Sequence, residues 1–139
     1  MDRRRFLRRA GGLGAVGFAG CTGLLVTDDD EFDVGMSANA FQPRELAIDI
    51  GETVVWLNNG SRAHTVTAYI NHIPDDAAYF ATGGYEDEAT AWDAWHSYEG
   101  GNLYSGERFE HTFEVAGVHE YYCIPHEQGG MRGSIVVED

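Results

Sequence analysis

Cys123-Ile124-Pro125-His126-Glu127-Gln128-Gly129-Gly130-Met131, directly after the apolar run that ends in Tyr121-Tyr122, decides how this chain is read. A thiol, an imidazole and a thioether fall within nine residues at the end of a strand-like segment. These are soft ligands of the kind copper prefers. One cysteine sulfur, two histidine nitrogens and a distant methionine form a trigonal site that holds Cu(I) and Cu(II) in nearly one geometry, so little reorganises when an electron moves. The second histidine must come from elsewhere. His64, which follows the Asn58-Asn59-Gly60 turn and opens Thr65-Val66-Thr67, is placed to supply it. Zinc is the rival metal, because one cysteine, two histidines and an open position also describe a catalytic zinc site. Met131 argues against zinc, for which a thioether is a poor ligand. His72, His96, His111 and His119 lack such company; His119 shares strand parity with Cys123 and reads as a structural histidine of the core. Met36 needs no explanation beyond core packing.

Outward from this loop the chain shows short apolar stretches with period two, separated by turn residues. Strands are predicted over 32–38, 45–50, 53–58, 64–68, 108–114, 117–122 and 133–137, which suggests an all-β sandwich. Gly51-Glu52, Asn58-Asn59-Gly60-Ser61 and Ala116-Gly117 supply the turns. One stretch breaks the rhythm. Over 86–98, Ala89, Trp92 and Trp95 recur at helical spacing behind the acidic turn Glu86-Asp87-Glu88, so a short helix is predicted inside a long insertion, 69–106. The two tryptophans there read as packing in preference to a docking surface. Whether the insertion lines a docking face or only packs on the sandwich is left open by the sequence.

Composition narrows the function classes. The chain has 139 residues, 23 Asp and Glu against nine Arg and no Lys, and a formal charge of −14. A second sizeable core does not fit in this length, and nucleic acid is excluded as a partner by the charge. The 17 aromatic residues give an acidic chain enough apolar surface to fold. No phosphate-binding glycine loop or GxSxG elbow occurs. Five of the nine arginines lie in the first nine residues, so 21–139 carries four Arg against 22 acids, a net of −18. That acidity reads as adaptation to high salt, where carboxylates keep a surface hydrated and the screening length is only about 3 Å.

The basic end is a separate object. Arg3-Arg4-Arg5-Phe6-Leu7-Arg8, followed by a short apolar and glycine-rich stretch to Gly20, resembles a twin-arginine export signal. Its eleven apolar-region residues, 10–20, are too few to span a bilayer core of about 30 Å. Cys21 after Ala19-Gly20 resembles a lipobox cysteine, although Phe18 stands where Leu is usual. The expected organisation is a signal segment at 1–21, an acidic tether at 22–31 and one copper-binding domain at 32–139, exported and lipid-anchored at the outer face of the cytoplasmic membrane.

The Cys-x-x-His-x-x-x-x-Met spacing, the Gly-Glu-Thr-Val-Val-Trp-Leu-Asn-Asn run at 51–59 and Tyr121-Tyr122-Cys123 together resemble the cupredoxins, most closely the plastocyanin-like branch that includes the halocyanins. The resemblance implies a Greek-key β-sandwich of eight strands or fewer that holds one copper ion through His64, Cys123, His126 and axial Met131. It implies an electron carrier and not an enzyme, working between redox protein donors and acceptors, here expected to be membrane-bound. It further implies electron entry at His126, with Tyr122 as a second surface contact. A copper storage or delivery module is the alternative; a multicopper oxidase would need paired His-x-His motifs, which do not occur. Thr65 departs from the family, where Asn often follows the first ligand histidine and ties the two ligand loops together; a hydroxyl replaces part of that tie.

Overall fold

Two four-stranded sheets face each other across an aromatic core in a computed structural model that describes residues 31–139. The expected signal segment with Arg3, Arg4 and Cys21, and the tether up to residue 30, lie outside the described residues. In chain order the strands are β1 (Val34–Met36), β2 (Phe41–Gln42), β3 (Glu45–Asp49), β4 (Thr53–Leu57), β5 (Thr67–Ala68), β6 (Arg108–Thr112), β7 (Gly117–Tyr122) and β8 (Arg132–Glu138). One sheet runs β2-β1-β4-β6 and the other β3-β8-β7-β5. β1 pairs parallel with β4 within the first sheet and β3 parallel with β8 within the second, and the two sheets form a Greek-key sandwich.

Period two explains which side chains fill the space between the sheets. Val54 and Trp56 of β4 are fully buried while Thr53, Val55 and Leu57 are only partly so. Trp56 centres the core, with ring centroids of Phe109 at 5.5 Å, Tyr121 at 5.4 Å, Phe80 at 6.0 Å and Phe113 at 6.3 Å. Tyr121 also meets Phe41 edge-on at 4.7 Å. Rings of this size carry most of the apolar burial of so small a domain. Met36 and His119 belong to the same interior; the His119 Nε2 lies 2.9 Å from the Val115 carbonyl oxygen.

Two sequence expectations need correction. Only Thr67–Ala68 of the predicted 64–68 strand joins the sheet, because the insertion pairs with the rest: His64 and Leu103 exchange backbone hydrogen bonds of 3.2 and 2.8 Å, and Thr82 N–H donates to the Val66 carbonyl at 2.8 Å. The predicted helix is present as α1 (Glu88–Tyr98), capped by the Asp87 carboxylate on Thr90 N–H at 2.8 Å. Its buried face is Ala91 and Ala94, however, and Trp92 stays 41 % exposed beside His96. Small residues sit against the sandwich because the helix lies close to it, which leaves no room beneath for an indole.

Candidate metal centre

Two loops at one end of the sandwich bring the candidate ligands together. The first is knotted by Asn58, whose buried amide donates to the Arg62 and Leu103 carbonyls at 2.7 and 2.8 Å and whose oxygen accepts from Gly60 N–H at 3.1 Å. With Leu103 bonded on its other side, His64 has its backbone held from both directions and its side chain is fully buried. The second loop leaves β7 at Cys123, makes a 3-10 turn over Ile124–Gly129 and turns at Gly130, whose φ of 91° suits glycine. Cys123 N–H donates to the Met131 carbonyl at 3.1 Å, and Met131 N–H donates to the His126 carbonyl at 3.2 Å. The nine-residue segment is therefore closed on itself before β8 begins.

The two loops meet at sulfur. Cys123 Sγ lies 3.6 Å from His64 Nδ1 and 3.4 Å from His126 Nδ1, and the three ligand atoms all fall within 4.8 Å of one another. Cys123 is 0 % exposed and His64 likewise, whereas the His126 side chain is partly exposed at the surface. Met131 is fully buried, and its backbone bonds to both Cys123 and His126 hold it against the ligand turn.

Thr65 supplies the tie that the sequence left in question. Its hydroxyl accepts Ile124 N–H at 2.9 Å and pairs with the Thr67 hydroxyl at 2.9 Å, while its own N–H points at Cys123 Sγ at 3.4 Å. One side chain thus spans from the His64 loop to the Cys123 loop.

Electrostatics fits the group to a soft cation. Burial pushes the Cys123 thiol up to about 11, against the pull of the Thr65 and His126 N–H groups. Burial lowers His64 to about 4, helped by the neighbouring His126 and Arg62 and opposed by the Ser37 carbonyl; burial and then Arg62 also lower His126. Both imidazoles are thereby held neutral, with a lone pair to donate, and the thiol keeps its proton until a cation replaces it. One buried sulfur and two neutral imidazole nitrogens drawn together suit copper, and the buried Met131, tied through its backbone to Cys123 and His126, offers a thioether that fits the same metal better than zinc.

Tyr122 stands differently from expectation. It is 1 % exposed, so it is not a surface contact: Tyr69 stacks on its ring at 4.2 Å and its hydroxyl donates to Glu88 Oε2 at 2.8 Å. Period two alone turns Tyr122 outward from the core, and only the fold of the insertion, invisible to periodicity, covers it. His72 and His96 are exposed and do not belong to the ligand group.

The family described as copper binding proteins, plastocyanin/azurin family, matches residues 29–138. The chain is 32 % identical over 101 residues to plastocyanin of Scenedesmus fuscus, covering 73 % of this chain and 89 % of that protein. It is 30 % identical over 105 residues to halocyanin of Natronomonas pharaonis, covering 75 % of this chain and 52 % of that one. Among solved structures, a purple cupredoxin from Nitrosopumilus maritimus superposes with a TM-score of 0.55 at 25 % identity, over 78 % of this chain and all of that one. With the sandwich, the Cys-His-His group and these relatives in agreement, the chain belongs to the plastocyanin/azurin family of copper proteins, which are electron carriers and not enzymes.

Proposed function

We propose that this protein is a blue-copper carrier moving single electrons between redox protein partners, in which His64 Nδ1, Cys123 Sγ, His126 Nδ1 and the Met131 thioether would hold the copper. The observation that carries this reading is the convergence of the three N and S ligand atoms within 4.8 Å around a fully buried thiol. When bound, copper supplies a Cu(II)/Cu(I) couple. The chain's part is to keep the ligands still. Backbone bonds from Cys123 and His126 to Met131, and the Thr65 bridge, hold the ligand positions whether or not an electron is present. His126 is the one member of the Cys-His-His group that reaches the surface, among exposed Pro125, Gln128 and Gly129, and it is the edge where a partner meets the site.

Retention separates this reading from copper storage or delivery. A module that hands metal on needs ligands a recipient can reach, whereas His64 and Cys123 are closed off from solvent. The test is voltammetry of the copper-loaded protein alongside a challenge with a strong Cu(I) chelator. A reversible one-electron couple with slow metal loss supports the carrier; rapid loss to the chelator supports delivery.

The same proposal places the carrier outside the cytoplasm. Arg3 and Arg4 suit a twin-arginine signal, Cys21 a lipid anchor, and 22–31 an acidic tether that holds the domain at the outer face of the cytoplasmic membrane near membrane-bound donors and acceptors. Replacement Cys21→Ala should turn a detergent-extracted protein into a freely soluble one. Equal partitioning of the two forms would remove the anchor.

A further inference from the structure

Charge is laid out along the sandwich unevenly. The four arginines of 21–139 are Arg44, Arg62, Arg108 and Arg132, and all of them fall at the end that carries the ligands. β4 runs into the Asn58 knot and β7 into Cys123; Arg108 faces Leu57, the last residue of β4, and Arg132 follows Met131 and faces Tyr122, the last residue of β7. Arg44 precedes Glu45, which pairs with Ser134 near the start of β8, and its carbonyl accepts Ser134 N–H at 2.9 Å. Arg62 stands on the His64 loop, its carbonyl held by the Asn58 amide at 2.7 Å, and its charge reaches both ligand imidazoles. Acids near this end are Glu31 by the Arg108 guanidinium, Glu45, Glu107, whose Oε1 accepts Tyr104 N–H at 2.8 Å, and Glu127, whose Oε2 accepts the Tyr69 hydroxyl at 2.7 Å. Arginine and acid balance there. The opposite end holds Asp49 and Glu52 at the β3–β4 turn, Glu114 after β6, and Glu138 and Asp139 at the end of β8, with no arginine. Ile50 N–H on the Glu138 carbonyl at 3.0 Å and Gly51 N–H on the Phe113 carbonyl at 2.7 Å draw these segments together. Glu86, Asp87 and Glu88 lie to one side, where Glu88 binds the Tyr122 hydroxyl.

We propose that the ligand end docks a redox protein that presents carboxylates, with exposed Arg62 from the His64 loop and exposed Arg132 from the end of the ligand turn making the pairs. The inference rests on the blue-copper reading above and gives its partner a charge. A guanidinium fork binds a carboxylate through two hydrogen bonds, and pairs enclosed in an interface are screened less by salt than charges separated by water. An acidic partner is repelled by the far end and by the start of α1 and meets exposed cations beside His126, so the uneven charge sets orientation as well as contact. Anionic lipid would answer the same arginines, but a bilayer against this end would cover the His126 edge that a redox protein has to reach.

Two small oxidants of opposite charge make the docking measurable. Hexacyanoferrate(III) and tris(phenanthroline)cobalt(III) each take one electron from the reduced copper protein, with no bond or proton exchanged. A shift of the protein's reduction potential moves both rates the same way, so their ratio in stopped flow reports the charge of the docking face. At about 1 M KCl, where long-range charge is screened, the anion-to-cation rate ratio should fall about threefold or more in Arg62→Gln/Arg132→Gln, in line with the loss of two exposed pairs. Arg62→Gln alone serves if the double variant does not fold. Glu138→Gln/Asp139→Asn changes the net charge by the same amount at the far end and should leave the ratio near the parent value. In dilute salt a hexaglutamate peptide should slow the anionic oxidant on the parent and not on the arginine variant. An unchanged ratio with the copper spectrum intact, a ratio moved as far by the far-end variant, or arginine-dependent binding to phosphatidylglycerol vesicles without inhibition by hexaglutamate overturns docking of an acidic protein and leaves the carrier standing. A parent protein with no blue-copper spectrum overturns the carrier reading itself.

Discussion

Thr65 shows how much rests on one hydroxyl. It is the acceptor for the buried Ile124 N–H and the link between the two ligand loops. Thr65→Val keeps the shape and removes the acceptor, so an N–H is left buried without a partner, at a cost of about 1–3 kcal/mol. Loss of such a supporting contact also weakens metal binding about 10–100-fold. Thermal unfolding and copper affinity should show both losses, with Thr65→Ser close to the parent; a valine variant with native affinity would mean that the loops hold each other without this bridge. Away from the ligand group, buried His119 and half-buried His111 give a pH signature. Burial lowers both, His111 further through His119, so the unfolded chain takes up protons near pH 6.5 that the folded chain refuses until lower pH. Stability from these two groups is complete above that value and falls as the pH is lowered through it. His119→Gln should flatten this part of a stability-against-pH curve measured by denaturant unfolding; an unaltered slope would show that His119 does not contribute.

At the scale of elements, β7 and β8 carry the ligand turn, and their register depends on Gly133 facing Tyr121. A Cβ at 133 would sit 2.5 Å from the Tyr121 hydroxyl oxygen and 2.6 Å from its ring, and that ring is wedged in the core by Trp56 and Phe41. Gly133→Ala should therefore destabilise the fold by about 1–3 kcal/mol, read as a lower unfolding midpoint. The strands themselves were legible: 45–49, 53–57, 108–112 and 117–122 follow from alternation because each packs one face on a common core. The loop chemistry was legible too, since Cys123, His126 and Met131 sit on one turn and their spacing is local. What alternation could not show is where the insertion lies. Its contacts with His64, Val66 and Tyr122 cross long sequence separations, and its helix packs by Ala91 and Ala94 when Trp92 and Trp95 carry the apolar period. Removing 69–106 and rejoining the ends should consequently cost copper affinity, not merely trim a surface loop, because the Leu103 and Thr82 bonds that hold the His64 segment go with it. Titration of the shortened protein with copper would contradict this if affinity were kept.

The whole molecule is strongly acidic outside its first twenty residues, with four Arg against 22 acids over 21–139. Self-repulsion of that size opposes compaction and is relieved as salt shortens the screening length from about 30 Å at 0.01 M to about 3 Å at 1 M. The unfolding midpoint of the apoprotein should rise steadily with KCl into the molar range, in keeping with a proposed saline habitat; a midpoint independent of salt would detach the charge from that habitat. Steering of a partner by long-range charge is weak under the same conditions, which puts the weight of recognition on short-range contact at the His126 edge. The central claim remains the copper centre itself. Loading the protein with Cu(II) should produce an intense visible sulfur-to-copper charge-transfer band, absent in Cys123→Ser, whereas a colourless Cu(II) complex in the parent protein would contradict it.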